Sequence, residues 1–119
     1  MEKLKLFDAE YKFMDLIWNL EPINSTQLTK VCLERLAWKK STVYTVIRKL
    51  SQRNLIKNED SIVSTLVKRD EVQKFESEEL LEKSFNGSLP MFIATFLQDK
   101  TLSKEESDEI SRMIQEATK

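Results

Sequence analysis

The side chains best suited to chemistry in this chain lie between Lys40 and Arg53. Val43, Val46, Ile47 and Leu50 recur at i, i+3, i+4 and i+7, the inward face of a helix. That spacing turns Ser41, Thr42, Tyr44, Thr45, Arg48, Lys49 and Gln52 outward. The outward set holds hydroxyls, a phenol, an amide and cations, without one carboxylate. Such groups hydrogen-bond base edges and phosphates and do not repel a polyanion. The surroundings agree in sign. Arg35, Lys39, Lys40, Arg48, Lys49, Arg53 and Lys57 fall in a stretch that has no acid from Arg35 to Asn58. Clustered positive charge is the footprint expected for nucleic acid. An ordinary solvated helix face, balanced by acids elsewhere in the fold, is the competing reading.

Other chemistry is poorly supplied. The 119 residues include no histidine, so neither a Ser-His-Asp triad nor a His-containing zinc site can be assembled. The single glycine, Gly87, rules out GxGxxG and Walker loops. The single cysteine, Cys32, rules out an intrachain disulfide. It falls in the apolar stripe of its helix and reads as a small core residue. The acids near 8–10 and 105–109 sit at helix starts, where they favour the macrodipole. No enzymatic role, metal or cofactor is expected. The charged start at Met1-Glu2-Lys3 is not a signal core, and the longest mostly apolar run, Pro90 to Leu97, is too short to span a bilayer. The expectation is a cytoplasmic protein with no membrane partner.

Elements must hold the cationic face in place. A first helix over Phe7–Leu20 has Phe13, Met14, Ile17 and Trp18 on one face, Asp8 as its expected cap and Glu21-Pro22 as its end. A second helix over Asn24–Leu36 turns Leu28, Val31, Cys32 and Leu36 inward. The third is the cationic helix, Lys40–Arg53. Two β-type runs follow, Leu55–Asn58 and Ile62–Val67, with Glu59-Asp60-Ser61 as the expected loop. Helix, helix, cationic helix and hairpin is the order of a winged helix-turn-helix, with the hairpin as wing. The expected fold is therefore mainly α with a small β-hairpin.

The remainder is helical and of opposite charge. Residues 1–69 have a net charge of +5 and residues 70–119 a net charge of −6. The expected division is a DNA-binding domain over 1–69 and a helical arm over 70–119. Helices are expected over Arg69–Phe85, over Leu89–Gln98 and after Ser103. Each has one apolar stripe, too little for a core of its own. The stripes are expected to pack on a second subunit, making a homodimer through Phe85, Phe92, Phe96, Leu97, Ile110 and Ile114. Packing back onto the first domain is the alternative.

The segment Trp38-Lys39-Lys40-Ser41-Thr42-Val43-Tyr44-Thr45-Val46-Ile47-Arg48-Lys49-Leu50 resembles the recognition-helix motif of the penicillinase and methicillin-resistance repressors (BlaI/MecI type). Asn54-Leu55-Ile56 is similar to the strand that follows it in that family, and Glu10–Trp18 to the family's first helix. The likeness continues through Asn86-Gly87 and the final helix. It implies a dimeric transcriptional repressor on a near-palindromic double-stranded operator, released through an upstream sensor or protease. The related copper-responsive (CopY type) branch has a Cys-x-Cys tail, which is absent here, so no metal is implied. Two further departures stand out. The family's scissile Asn-Phe aligns with Thr95-Phe96, and the wing tip is acidic, Glu59-Asp60. Wing contacts are therefore expected from Lys57, Lys68 or Arg69. The expected DNA-contacting residues are Lys39, Lys40, Ser41, Thr42, Tyr44, Thr45, Arg48, Lys49 and Arg53. A winged-helix module that binds a partner protein remains the alternative function.

Overall fold

The computed structural model describes residues 4–119, so the charged start at 1–3 lies outside the described residues. The elements run α1 (Asp8–Leu20), β1 (Ile23–Asn24), α2 (Ser25–Leu36), α3 (Lys40–Gln52), β2 (Ile56–Glu59), β3 (Ile62–Thr65), α4 (Arg69–Phe85), α5 (Leu89–Phe96) and α6 (Lys104–Ala117). This is the expected winged helix-turn-helix with further helices after it. No helix among the described residues is long and apolar enough to cross a membrane.

Packing divides the chain into two compact units, the first ending at Glu79 and the second beginning at Leu80. Charge changes sign after Arg69, but packing changes later, inside α4. The reason is Val72, which is fully buried and belongs to the first unit's core.

The first unit is built around Phe13, Met14 and Ile17 of α1, Leu28 and Cys32 of α2, and Val43, Ile47 and Leu50 of α3. Leu55, Ile56, Val63 and Val67 close it from the sheet side. All of these are buried, as their helical and strand spacing requires. Burial pushes the Cys32 thiol up to about 11, so at neutral pH it is a protonated core group.

Local signals set the element ends. Phe7, not Asp8, occupies the N-cap of α1. Its N–H is accepted by Glu10 Oε1 at 2.9 Å, so the acid of the first turn closes the helix start instead of a cap side chain. Asn24 caps α2 by accepting from the Thr26 N–H at 2.8 Å. Ala37 takes the left-handed conformation (φ 57°) and ends α2. The Trp38 N–H then reaches back to the Cys32 carbonyl at 3.2 Å, which keeps the link to α3 short.

The sheet has a strand more than the hairpin alone. Its order is β1-β3-β2, antiparallel throughout, with Ile23 opposite Val63 and Glu59 opposite Ile62. Glu59 belongs to the strand, so the turn shrinks to Asp60-Ser61, both at positive φ (53° and 65°). That pair of angles matches a two-residue turn whose twist suits a hairpin. The Ser25 N–H donates to the Ser61 carbonyl at 2.8 Å, fastening the wing tip to the start of α2. Glu21 accepts from the Thr65 N–H at 2.7 Å and from its hydroxyl at 2.9 Å.

In the second unit, Gly87 (φ 79°) ends α4 and its N–H reaches the Leu81 carbonyl at 3.1 Å. Ser88 caps α5 through the Met91 N–H, and Ser103 caps α6 through the Glu106 N–H, both at 3.1 Å. Neither α5 nor α6 has a single buried residue.

Candidate nucleic-acid interface

The outward face of α3 is positioned by what its inward face buries. Val43, Ile47 and Leu50 lock the helix onto the core. Ser41, Thr42, Arg48 and Lys49 are exposed on the other side, and Lys39 and Lys40 are exposed at its start. Among the described residues, no carboxylate lies within ion-pair distance of Lys39, Lys40, Arg48 or Lys49. These four cations are thus available to a polyanion.

Three of the expected contact residues are placed differently. Tyr44 is half-buried against the core, and its hydroxyl donates to Ser25 Oγ at 3.3 Å. Thr45 is half-exposed, and its hydroxyl donates to the Ser41 carbonyl at 2.9 Å. Arg53 is half-buried at the end of α3, with Nη1 3.3 Å from Glu10 Oε1. Arg53 also donates to the Lys5 carbonyl. The same Glu10 oxygen accepts the Phe7 N–H, so Arg53 ties the end of α3 to the start of α1.

Among the residues expected to serve the wing, Lys57 and Lys68 are exposed. Arg69 is engaged elsewhere. It is paired with Asp15, donates to Asn19 Oδ1 at 2.6 Å, and stacks over the Trp18 ring at 5.2 Å. The Trp18 indole N–H in turn donates to the Val67 carbonyl at 3.0 Å. Glu59 and Asp60 stand exposed at the wing tip.

Ser25 is a residue that spacing did not single out. It is a buried polar side chain, 4% exposed, and it receives the Tyr44 phenol. The available signal was its position directly after the Asn24 cap, where the start of α2 meets α3. Among the described residues, no group of three or more Cys, Asp or Glu side chains is arranged to hold a metal ion.

The second unit gathers most of the residues expected at a subunit contact. Phe85 meets Phe92 edge-on at 5.3 Å, and Phe92 meets Phe96 at 5.9 Å. Phe92, Phe96, Leu97 and Ile110 line an apolar cavity of about 240 Å³ with Ile93, Leu102 and Glu106. Ile114 lies one turn beyond Ile110 and is 56% exposed, and Phe96 is 53% exposed.

Residues 6–116 match the family model described as penicillinase repressor. Over 121 aligned residues the chain is 23% identical to a penicillinase repressor of Bacillus licheniformis, an alignment that covers 98% of this chain and 94% of that protein.

Proposed function

The chain belongs to the penicillinase repressor family and is a winged-helix DNA-binding transcriptional regulator; from that premise we propose that it represses transcription as a homodimer on a near-palindromic operator. The observation that carries this reading is the carboxylate-free outer face of α3, with Arg48 and Lys49 exposed and unpaired among the described residues.

In this reading α3 enters the major groove. Ser41, Thr42, Thr45 and Arg48 meet base edges, and Lys39, Lys40 and Lys49 meet phosphates. The acidic wing tip stays off the backbone, and Lys57 or Lys68 makes any wing contact. The exposed apolar stripes of α5 and α6 pair with those of a second copy. Each subunit then presents one α3 to one half-site, about one helical turn from the other. A bound dimer occludes the promoter. Loss of the dimer removes the second half-site's effective concentration and releases the DNA. An upstream sensor or protease is the kind of partner that such release calls for.

The salt dependence of binding to duplex DNA tests the role of α3. Lys49→Ala is expected to lower the salt slope by about one unit and to weaken all sequences alike. Arg48→Ala is expected to cost ~1–3 kcal/mol on the preferred sequence and to relax specificity at one position. Unchanged binding in both variants would show that α3 does not face DNA.

A further inference from the structure

We propose that Arg69 is a positioning residue for operator selectivity. Clamped on one face of α1, it fixes the direction of α4 relative to α3, and so sets the spacing between half-sites that a dimer accepts. The inference rests on the operator-binding reading above and adds to it a determinant of spacing, not of base sequence.

Asp15, Trp18 and Asn19 lie at i, i+3 and i+4 on α1, so they share one face. Arg69, the first residue of α4, engages all three. Its Nη1 pairs with Asp15, its Nη2 donates to Asn19 Oδ1 at 2.6 Å, and its guanidinium carbon lies 5.2 Å from the centre of the Trp18 ring. A planar fork on an aromatic face has a defined orientation, which a point-charge ammonium lacks. The backbone just before Arg69 is held to the same face, since the Trp18 indole N–H donates to the Val67 carbonyl at 3.0 Å. The Lys68 N–H donates to Glu71 Oε1 at 2.9 Å and closes the start of α4. One turn on, Val72 is fully buried in the core.

α1 and α3 share that core, through Phe13, Met14 and Ile17 on one and Val43, Ile47 and Leu50 on the other. The direction of α4 relative to the reading helix is therefore relayed by α1 and Arg69. α4 is unbroken over 17 residues, a length of about 25 Å. A swing of about 10° at its root would move its far end by about 4 Å, more than the rise of one base pair, about 3.4 Å. Phe85, at that far end, is among the residues proposed to meet the second copy. The phosphate contact that the charge of Arg69 suggests is disfavoured, because Asp15 neutralises it and the exposed acids Asp70 and Glu71 follow it.

A spacing series tests the assignment. The DNA is the near-palindrome that the full chain enriches from a random library, together with duplexes that have one base pair inserted or removed between the half-sites. Each change turns one half-site by about 35° relative to the other. The wild type is expected to bind both altered duplexes at least about tenfold more weakly than the parent. Arg69→Lys keeps the charge and loses the fork and the stack. It is expected to bind all three duplexes within about threefold of one another, with the wild-type salt slope and the wild-type affinity for a single half-site. Asp15→Ala opens the clamp from the other side, leaves Arg69 charged, and is expected to relax spacing in the same way. Both side chains are partly exposed, so the fold is expected to survive each change. A loss of stability alone would weaken binding to the three duplexes alike and leave their ratio unchanged. The assignment is overturned if the wild type accepts all three spacings, or if the variants keep its discrimination. Tighter binding by Asp15→Ala with discrimination intact would make Arg69 a phosphate contact and overturn it too. A library that yields no near-palindrome overturns the operator-binding reading itself and this assignment with it.

Discussion

The phenol of Tyr44 donates to Ser25 Oγ across 3.3 Å and so joins the middle of α3 to the first residue of α2. Ser25 also gives its backbone N–H to Ser61 at the wing tip. One residue therefore connects the start of α2, the cationic helix and the wing. The angle at which α3 leaves the core is set partly by this connection, in addition to the buried stripe of Val43, Ile47 and Leu50.

Tyr44→Phe should therefore act on stability more than on DNA. The bond is long for a hydroxyl pair, so the expected loss is only about 0.5 kcal/mol. Urea unfolding measures that loss, and operator affinity should hardly change. A large loss of affinity at unchanged stability would place the phenol on the DNA instead.

Arg53 should behave as a tie between helices. Its pair with Glu10 is part-exposed, at 32% and 16% for the two side chains, so solvent screens much of the attraction. Arg53→Ala is expected to cost about 1 kcal/mol, with contributions from the ion pair and from the bond to the Lys5 carbonyl. Its effect on the salt slope of DNA binding should be smaller than that of Lys49→Ala. A full unit of slope lost without loss of stability would make Arg53 a phosphate contact.

Glu76 on α4 offers a pH test of the first unit. Its carboxyl titrates above the ordinary 4.5, chiefly because of burial, then because of the charges on Asp8 and Glu79. A raised carboxyl means that ionisation opposes folding. Its contribution is fully present below the unfolded value and is lost as pH rises through the folded one. Glu76→Gln should raise the melting temperature at neutral pH, and the gain should vanish at about pH 3, where the wild-type carboxyl is protonated in both states. Destabilisation at neutral pH would mean that the carboxylate is held by a favourable partner.

Phe92 tests the pairing of subunits. It contacts both Phe85 and Phe96 and lines the apolar cavity of the second unit. Phe92→Asp places a charge among these groups, and sedimentation should show monomers whose operator binding is much weaker. A dimer that survives the change would move the interface elsewhere.

Helical spacing made α1, α2 and α3 and nearly all of their buried faces legible. It could not show β1. Ile23-Asn24 is too short to display a period, and it becomes a strand only because β3 lies beside it. Spacing also failed to separate the flank of α3 from its centre. Tyr44 is one step from buried Val43 and packs half-buried against the core, and its hydrogen-bond partner Ser25 lies on another helix, beyond the reach of spacing. Arg53 is similar, since its cationic type suggested phosphate while its position beside Glu10 gives it an internal partner. In the second unit the apolar stripes were legible, and they remain exposed in the single chain, with Met113 and Ile114 at 50% and 56%.

The central claim, a dimer that reads a sequence through α3, is tested most directly by selecting bound duplexes from a random DNA library at near-physiological salt. The account predicts enrichment of a near-palindrome with half-sites about one helical turn apart, and loss of that enrichment with Arg48→Ala. Binding without enrichment, or no binding at all, would contradict it.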